Sequence, residues 1–401
     1  MGRLTETAAE QLIASRALAG GPPGFVGAAL DLRGPARDRS VEPETGHRET
    51  GHRETGHRPT QRALRHGFLL SRSDGTVTLS GPPSPGLESC LARMGDDLAT
   101  LPGIRPGGGA AAGIRVGLEA GLDGGGPLGL PRRWRLAHTL APVLAAAFAN
   151  SPSAGGWRSA RAARHRDRPV LPRAASAEPA ANVTPIAPAT AGQETRIDFD
   201  PAGAGPIGLG PCTADLSGID PRWGRAAGED PRAAWTAAVL DAKVSGSDRT
   251  LRDWLRSDDP PAEADLWRHL DGLRPPVSAR GHLELDFVDG QEGDGWRVVV
   301  AVIATLLDDP VAAGAAEMAT GRFAYEEGVW ERASRDALAD AGLAAAAREC
   351  FVAAYAALAR RGAPRDLRDA VAAYTDRYVM RGRCPADDRI ALGRPRPIEA
   401  G

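Results

Sequence analysis

The chain reads as an α+β fold, with an antiparallel sheet covered by helices. Two observations carry this. Strand signals are few and short while helical signals are many, and there is no regular strand–helix–strand alternation of the kind a parallel sheet requires. At 401 residues, 42% hydrophobic and 25% charged, the chain has ample length to bury a core. It is treated as one domain over residues 1–401. The net charge of −2 gives no bulk attraction to nucleic acid or a membrane surface. Lys243 is the only lysine, so arginine supplies nearly all the positive charge.

The first element is a helix over Thr5–Ala19, with a threonine cap and early glutamates. A Gly-Pro-Pro break leads into a strand at Phe25–Leu32. The direct repeat TGHRE, TGHRE, TGHRP at Thr45–Pro59 has no apolar residue, so residues 42–60 are expected to form a disordered loop. Its histidines, His47, His52 and His57, recur every five residues, but nothing preorganises them as metal ligands.

A short strand, Thr76–Ser80, ends at Pro82-Pro83, and Leu87–Thr100 reads as an amphipathic helix. A strand is expected at Ile114–Glu119 and the strongest helix at Arg133–Ala149, bracketed by His138 and Asn150, which read as a buried structural polar pair. Residues 164–230, rich in Pro, Ala and Gly, read as an irregular insert.

Helices are expected at Asp230–Leu240, Thr250–Leu255, Ala264–Leu273 and Arg297–Leu307, and a helical tail over 333–401. His282–Val288 alternates, with Leu283, Leu285 and Phe287 against Glu284 and Asp286. This predicts a strand with one wet face.

The four cysteines, Cys90, Cys212, Cys350 and Cys384, are scattered without a CxxC spacing and read as reduced structural thiols. The N-terminus lacks a basic segment followed by an apolar run. The longest apolar run, Leu140–Ala149, is well short of the ~20 residues of a membrane span. A cytoplasmic location is expected.

Several segments carry a family resemblance in order along the chain. They are FVGAALDL (25–32), GTVTLSGPPSP (75–85), RLAHTLAPVLAAAFANSP (135–152), GWRSAR (156–161), PPVSARGHLELDFVD (275–289), ATLLDDPVAA (304–313) and RGRCPADD (381–388). Together they resemble the glutamate–cysteine ligases of ergothioneine biosynthesis, a branch of the carboxylate–amine ligases. The resemblance implies an antiparallel sheet related to the glutamine synthetase catalytic domain. It implies ATP and Mg²⁺ as cofactors, and glutamate and cysteine as substrates.

By the same resemblance Asp31 and Glu284 would hold metal, Arg280 and Glu284 would serve catalysis, and Arg161 would contact an ATP phosphate. Arg161 could equally cap a helix or pair with an acidic neighbour. The chain departs from the family at several positions. Ala29, Thr78 and Arg115 stand where the family carries Glu, Glu and Gln. Asp286 and Ser278 stand where it carries arginines, and Asp31 is one methylene shorter than the family's glutamate. Only about a dozen residues span the gap before Ile114, where the family has a long wall of the substrate pocket. These departures lead to the expectation of weak or lost ligase activity, the alternative being a non-catalytic scaffold that binds a small molecule or a partner.

Overall fold

In this computed structural model the described residues are 3–33, 60–71, 77–103, 105–107, 112–153, 155–166, 168 and 230–393. Nearly all of the 42–60 repeat loop and of the 164–230 insert lies outside them. The strands are β1 (Phe25–Arg33), β2 (Thr60–Ala63), β3 (Phe68–Ser71), β4 (Val77–Ser80), β5 (Ser84–Pro85), β6 (Arg105–Pro106), β7 (Gly113–Leu118), β8 (Val277–Ala279) and β9 (Leu283–Asp289). They form one sheet in the order β2-β3-β4-β1-β7-β9-β8, with every pairing antiparallel and with β5 and β6 joined to the ends of β1. The open antiparallel sheet expected from the sequence is present. The hairpin β2–β3 was not anticipated, because its four-residue strands are too short to show a period.

Along β1 the even positions Val26, Ala28, Leu30 and Leu32 are buried and the odd positions turn to the other face. The same rule on β7 buries Ile114, Val116 and Leu118 and turns Gly113, Arg115 and Gly117 with the odd residues of β1, since Ala29 pairs with Arg115 and Gly27 with Gly117. The sheet therefore has an apolar face and a polar one.

The apolar face is covered by α2 (Gly86–Ala99) on β1, α7 (Gly295–Asp308) on β7 and α3 (Leu130–Ala147) on β9. Helix α3 is buried almost all round, from Leu136 through Ala147 without a break, as expected for a helix in the middle of a layer. Behind it pack α8 (Pro310–Thr320), α9 (Val329–Arg335) and α10 (Ala341–Arg360). Among the described residues α10 is the one single helix long and apolar enough to cross a membrane. Here its Leu343, Ala347, Phe351, Ala354 and Leu358 are buried in the core. The remaining helices are α1 (Glu6–Ala17), α4 (Pro231–Leu240), α5 (Leu251–Leu255), α6 (Glu263–Gly272), α11 (Arg365–Arg377) and α12 (Pro385–Ala391). Cys90, Cys350 and Cys384 are free and buried, and burial pushes the Cys90 and Cys350 thiols up to about 12, so they are inert.

Strand β9 breaks its own alternation. Leu285 pairs with Val116 but Val288 pairs with Ile114, so one extra residue is accommodated between them as a bulge. Phe287 and Val288 are consequently both buried in the core, while Asp286 and Asp289 come to lie on the polar side. Asp289 Oδ2 accepts the Asn150 backbone N–H at 2.7 Å, and the Asn150 side chain donates to Gly290 O at 2.8 Å and accepts from Arg389 Nε at 2.6 Å. This junction joins the end of β9, the exit of α3 and α12. His138 packs edge-on to Trp134.

A buried arginine ties the sheet to the helical layer. Arg133, 1% exposed, donates to Glu119 O at 2.8 Å, to Asp308 Oδ1 at 2.9 Å and to Leu307 O. Burial raises the Asp308 pKa and Arg133 opposes that rise. Removing Arg133 strands Asp308 together with two carbonyls. Arg133→Met should therefore cost about 3–5 kcal/mol of unfolding free energy in urea titrations, with part recovered by adding Asp308→Asn.

Asp289 supplies a second test. Desolvation raises its pKa to about 6 against the lowering effects of the Asn150 amide, the Ser151 and Ser159 hydroxyls and Arg161. A carboxyl whose folded pKa lies above its unfolded value stabilises the fold below about pH 4, and that contribution is lost as pH rises to about 6. Over that window the wild-type chain should lose up to about 3 kcal/mol relative to Asp289→Asn, read as the difference between their urea midpoints at each pH.

Candidate functional site on the polar face of the sheet

The residues singled out from the sequence fall on one face. Asp31 pairs with Thr78 across β1–β4 and Ala29 with Arg115 across β1–β7. Glu284 lies between Gly117 on one side and Ser278 on the other. On that face they form two separate clusters.

The first cluster is centred on Asp31. Its Oδ1 accepts the Thr78 hydroxyl at 2.8 Å and an Arg115 N–H at 3.5 Å, and its Oδ2 accepts the Gly113 backbone N–H at 3.1 Å. Arg161 enters from the segment after α3. It lies over Gly113, where an added Cβ would fall 2.3 Å from the guanidinium carbon. Only a glycine at that strand position leaves the space. Arg161 pairs with Asp286 and is 8% exposed. Burial works against its charge, but Asp286, Asp31 and Asp289 outweigh burial and hold its pKa above the ordinary value. Of the roles open to Arg161 from its sequence, phosphate contact, helix capping and acidic pairing, the pairing with Asp286 is present.

The second cluster is centred on Glu284. Its Oε1 accepts from Arg280 Nε at 3.0 Å and from the Ser278 hydroxyl at 3.3 Å. Arg280 also donates to the carbonyls of Leu270 at 3.3 Å and Leu273 at 3.0 Å, which fastens the end of α6 to β9. His282 was not singled out from the sequence. Its ring lies over Gly117, with Cδ2 and Nε2 3.1 Å from where a Cβ would stand. The signal for it was available, since residues 280, 282, 284 and 286 share one parity before the bulge. Asp289 was missed because only the bulge brings it to this side.

Asp31 accepts the Gly113 N–H, one step beyond the Leu30–Ile114 pair, and Glu284 lies opposite Gly117. Four residues along β7 at ~3.3 Å and two strand spacings of ~4.8 Å put their Cα atoms about 16 Å apart. One Mg²⁺ with bonds of about 2.1 Å does not bridge that gap. Among the described residues no group of three or more His, Cys, Asp or Glu side chains is placed to hold a metal ion. Asp31 and Glu284 thus sit in separate clusters, each with its own partners. Both lie on the same face, but Asp31 already has partners on both oxygens and a guanidinium beside it, a donor set that does not suit a divalent cation.

Three carboxylates of the face are matched by guanidiniums from the chain itself: Asp31 by Arg115, Asp286 by Arg161 and Glu284 by Arg280.

Comparison with known proteins extends the likeness beyond single motifs. Residues 219–397 match the family described as Glutamate-cysteine ligase family 2 (GCS2). The chain is 31% identical over 370 residues to the glutamate–cysteine ligase EgtA of Mycobacterium tuberculosis (strains CDC 1551 and H37Rv), covering 78% of this chain and 74% of that protein. It is 31% identical over 279 residues to EgtA of Mycolicibacterium smegmatis, covering 65% of this chain and 53% of that protein. With the strands that carry the quoted motifs adjacent in one sheet, and with identity sustained over most of its length, the chain belongs to the glutamate–cysteine ligase family.

Proposed function

We propose that this protein is a glutamate–cysteine ligase-like member whose sheet face still receives ligands of that reaction but whose turnover is weak or lost. The reading includes a sheet related to that of the glutamine synthetase catalytic domain and a place in the cytoplasm. The observation that carries it is the charge balance of the polar face. Asp31, Asp286 and Glu284 are each neutralised by an arginine of the chain, and Thr78 donates to Asp31 at 2.8 Å where the family resemblance expects a glutamate.

Forming γ-glutamylcysteine requires a carboxylate to be activated by ATP and then attacked by an amine. Charge develops at both steps and must be compensated by groups not already occupied. ATP, when bound, supplies the activating phosphoryl group. Of the chain's residues, Glu284 is the most open carboxylate of the set at 25% exposure, against 12% for Asp31 and 5% for Asp286. Its place is to receive the positive end of an amino acid, with Arg280 orienting it. A non-catalytic binding scaffold is the alternative, and the same charge balance favours it.

Purified full-length chain with ATP, Mg²⁺, glutamate and cysteine should release ADP and form γ-glutamylcysteine at no more than roughly a thousandth of an ordinary ligase rate. Turnover within tenfold of an ordinary ligase would overturn the weak-activity reading. Complete absence of turnover above buffer would select the scaffold.

A further inference from the structure

We infer that Arg115 gives the polar face a metal-independent oxyanion site, in which its guanidinium takes the place that a cation would fill against a phosphate or carboxylate. This rests on the reading of the face as a ligand site and adds how the ligand is held.

The three arginines of the face are not equivalent. Arg280 is spent on Glu284 and on the carbonyls of Leu270 and Leu273. Arg161 is buried over Gly113 and paired with Asp286. Arg115 has, among the described residues, one partner, Asp31, at 3.5 Å, the outer limit of a hydrogen bond. A guanidinium carries five N–H donors in a planar fork that matches two oxygens of a phosphate or carboxylate, so most of the Arg115 donors remain to be used. Its side chain is 17% exposed, partly dried yet reachable, where a charged contact is worth more than on an open surface.

Arg115 is also cheap to release. If it turns toward a ligand, Asp31 keeps the Thr78 hydroxyl at 2.8 Å and the Gly113 N–H at 3.1 Å, and Arg161 remains within electrostatic reach. The residue directly across the β1–β7 ladder is Ala29, which has no carboxylate to compete for the guanidinium. A small side chain opposite an under-used cation leaves room for an incoming oxyanion. The two sources of such an oxyanion, a nucleotide phosphate and an amino-acid carboxylate, are separated by the probes below.

The test is calorimetric titration of the full chain with ATP and, separately, with glutamate, each in EDTA and in excess Mg²⁺. At least one probe should bind in EDTA, with a Kd within about tenfold of its value in Mg²⁺, and Arg115→Gln should weaken that binding by about tenfold or more, as for the loss of a charge-assisted pair. Binding by ATP alone names the phosphate source, and binding by glutamate alone the carboxylate. Arg115→Lys keeps the positive charge beside Asp31 but not the fork. If the glutamine variant does not fold, the lysine variant should weaken binding at least about threefold. Absence of binding by both probes in EDTA, tightening by Mg²⁺ of more than about tenfold, or an arginine variant that misses its criterion would overturn the inference. Because no turnover is measured, that failure is distinct from failure of the weak-activity reading, which rests on ADP release.

Discussion

A sheet can carry several carboxylates on one half-buried face only if something supplies the opposite charge. An ionised carboxylate removed from water without a partner costs several kcal/mol, even after the surroundings relax. Here the partners are guanidiniums from the chain itself, together with the Thr78 and Ser278 hydroxyls and the Gly113 amide. The rest of the site follows from that constraint. Gly113 is bare so that Arg161 can lie across it, and Arg280 links α6 to β9 because its charge is already anchored on Glu284.

The same constraint explains the local geometry of β9. The bulge adds Asp289 to the polar side, which Asp286 already reaches by alternation, and sends Val288 into the core beside Phe287. Asp289 then sits where the Asn150 amide and Arg161 reach it, so the polar face and the α3 exit share a junction. Arg133 performs the equivalent task on the other side of the sheet, holding Asp308 and the end of α7 against the residue that follows β7.

This member of the glutamate–cysteine ligase family carries, on its sheet, a polar face whose carboxylates are paired with its own arginines. The strands that carry Asp31, Thr78, Arg115 and Glu284 lie in the order and register that bring those positions to one face. Scaffold and chemistry vary separately because the apolar face, packed under α2, α3 and α7, fixes the register. The polar face can exchange side chains as long as its charges still balance.

The sequence by itself determined the fold class and most of the elements. The alternation in β1 and the first part of β9, and the apolar second half of α3, are local patterns set by the pleat and the helical turn. It also indicated which face Asp31 and Glu284 share and that Thr78 and Arg115 belong with them. It could not supply distances. That Asp31 and Glu284 belong to separate clusters follows only from the strand register and the partners each finds there. Single-chain periodicity likewise could not reveal the bulge that brings Asp289 to the polar side, or the burial of Arg161 over Gly113. Those features are pairwise and long-range, so they exist only once β7, β9 and the segment after α3 are packed together.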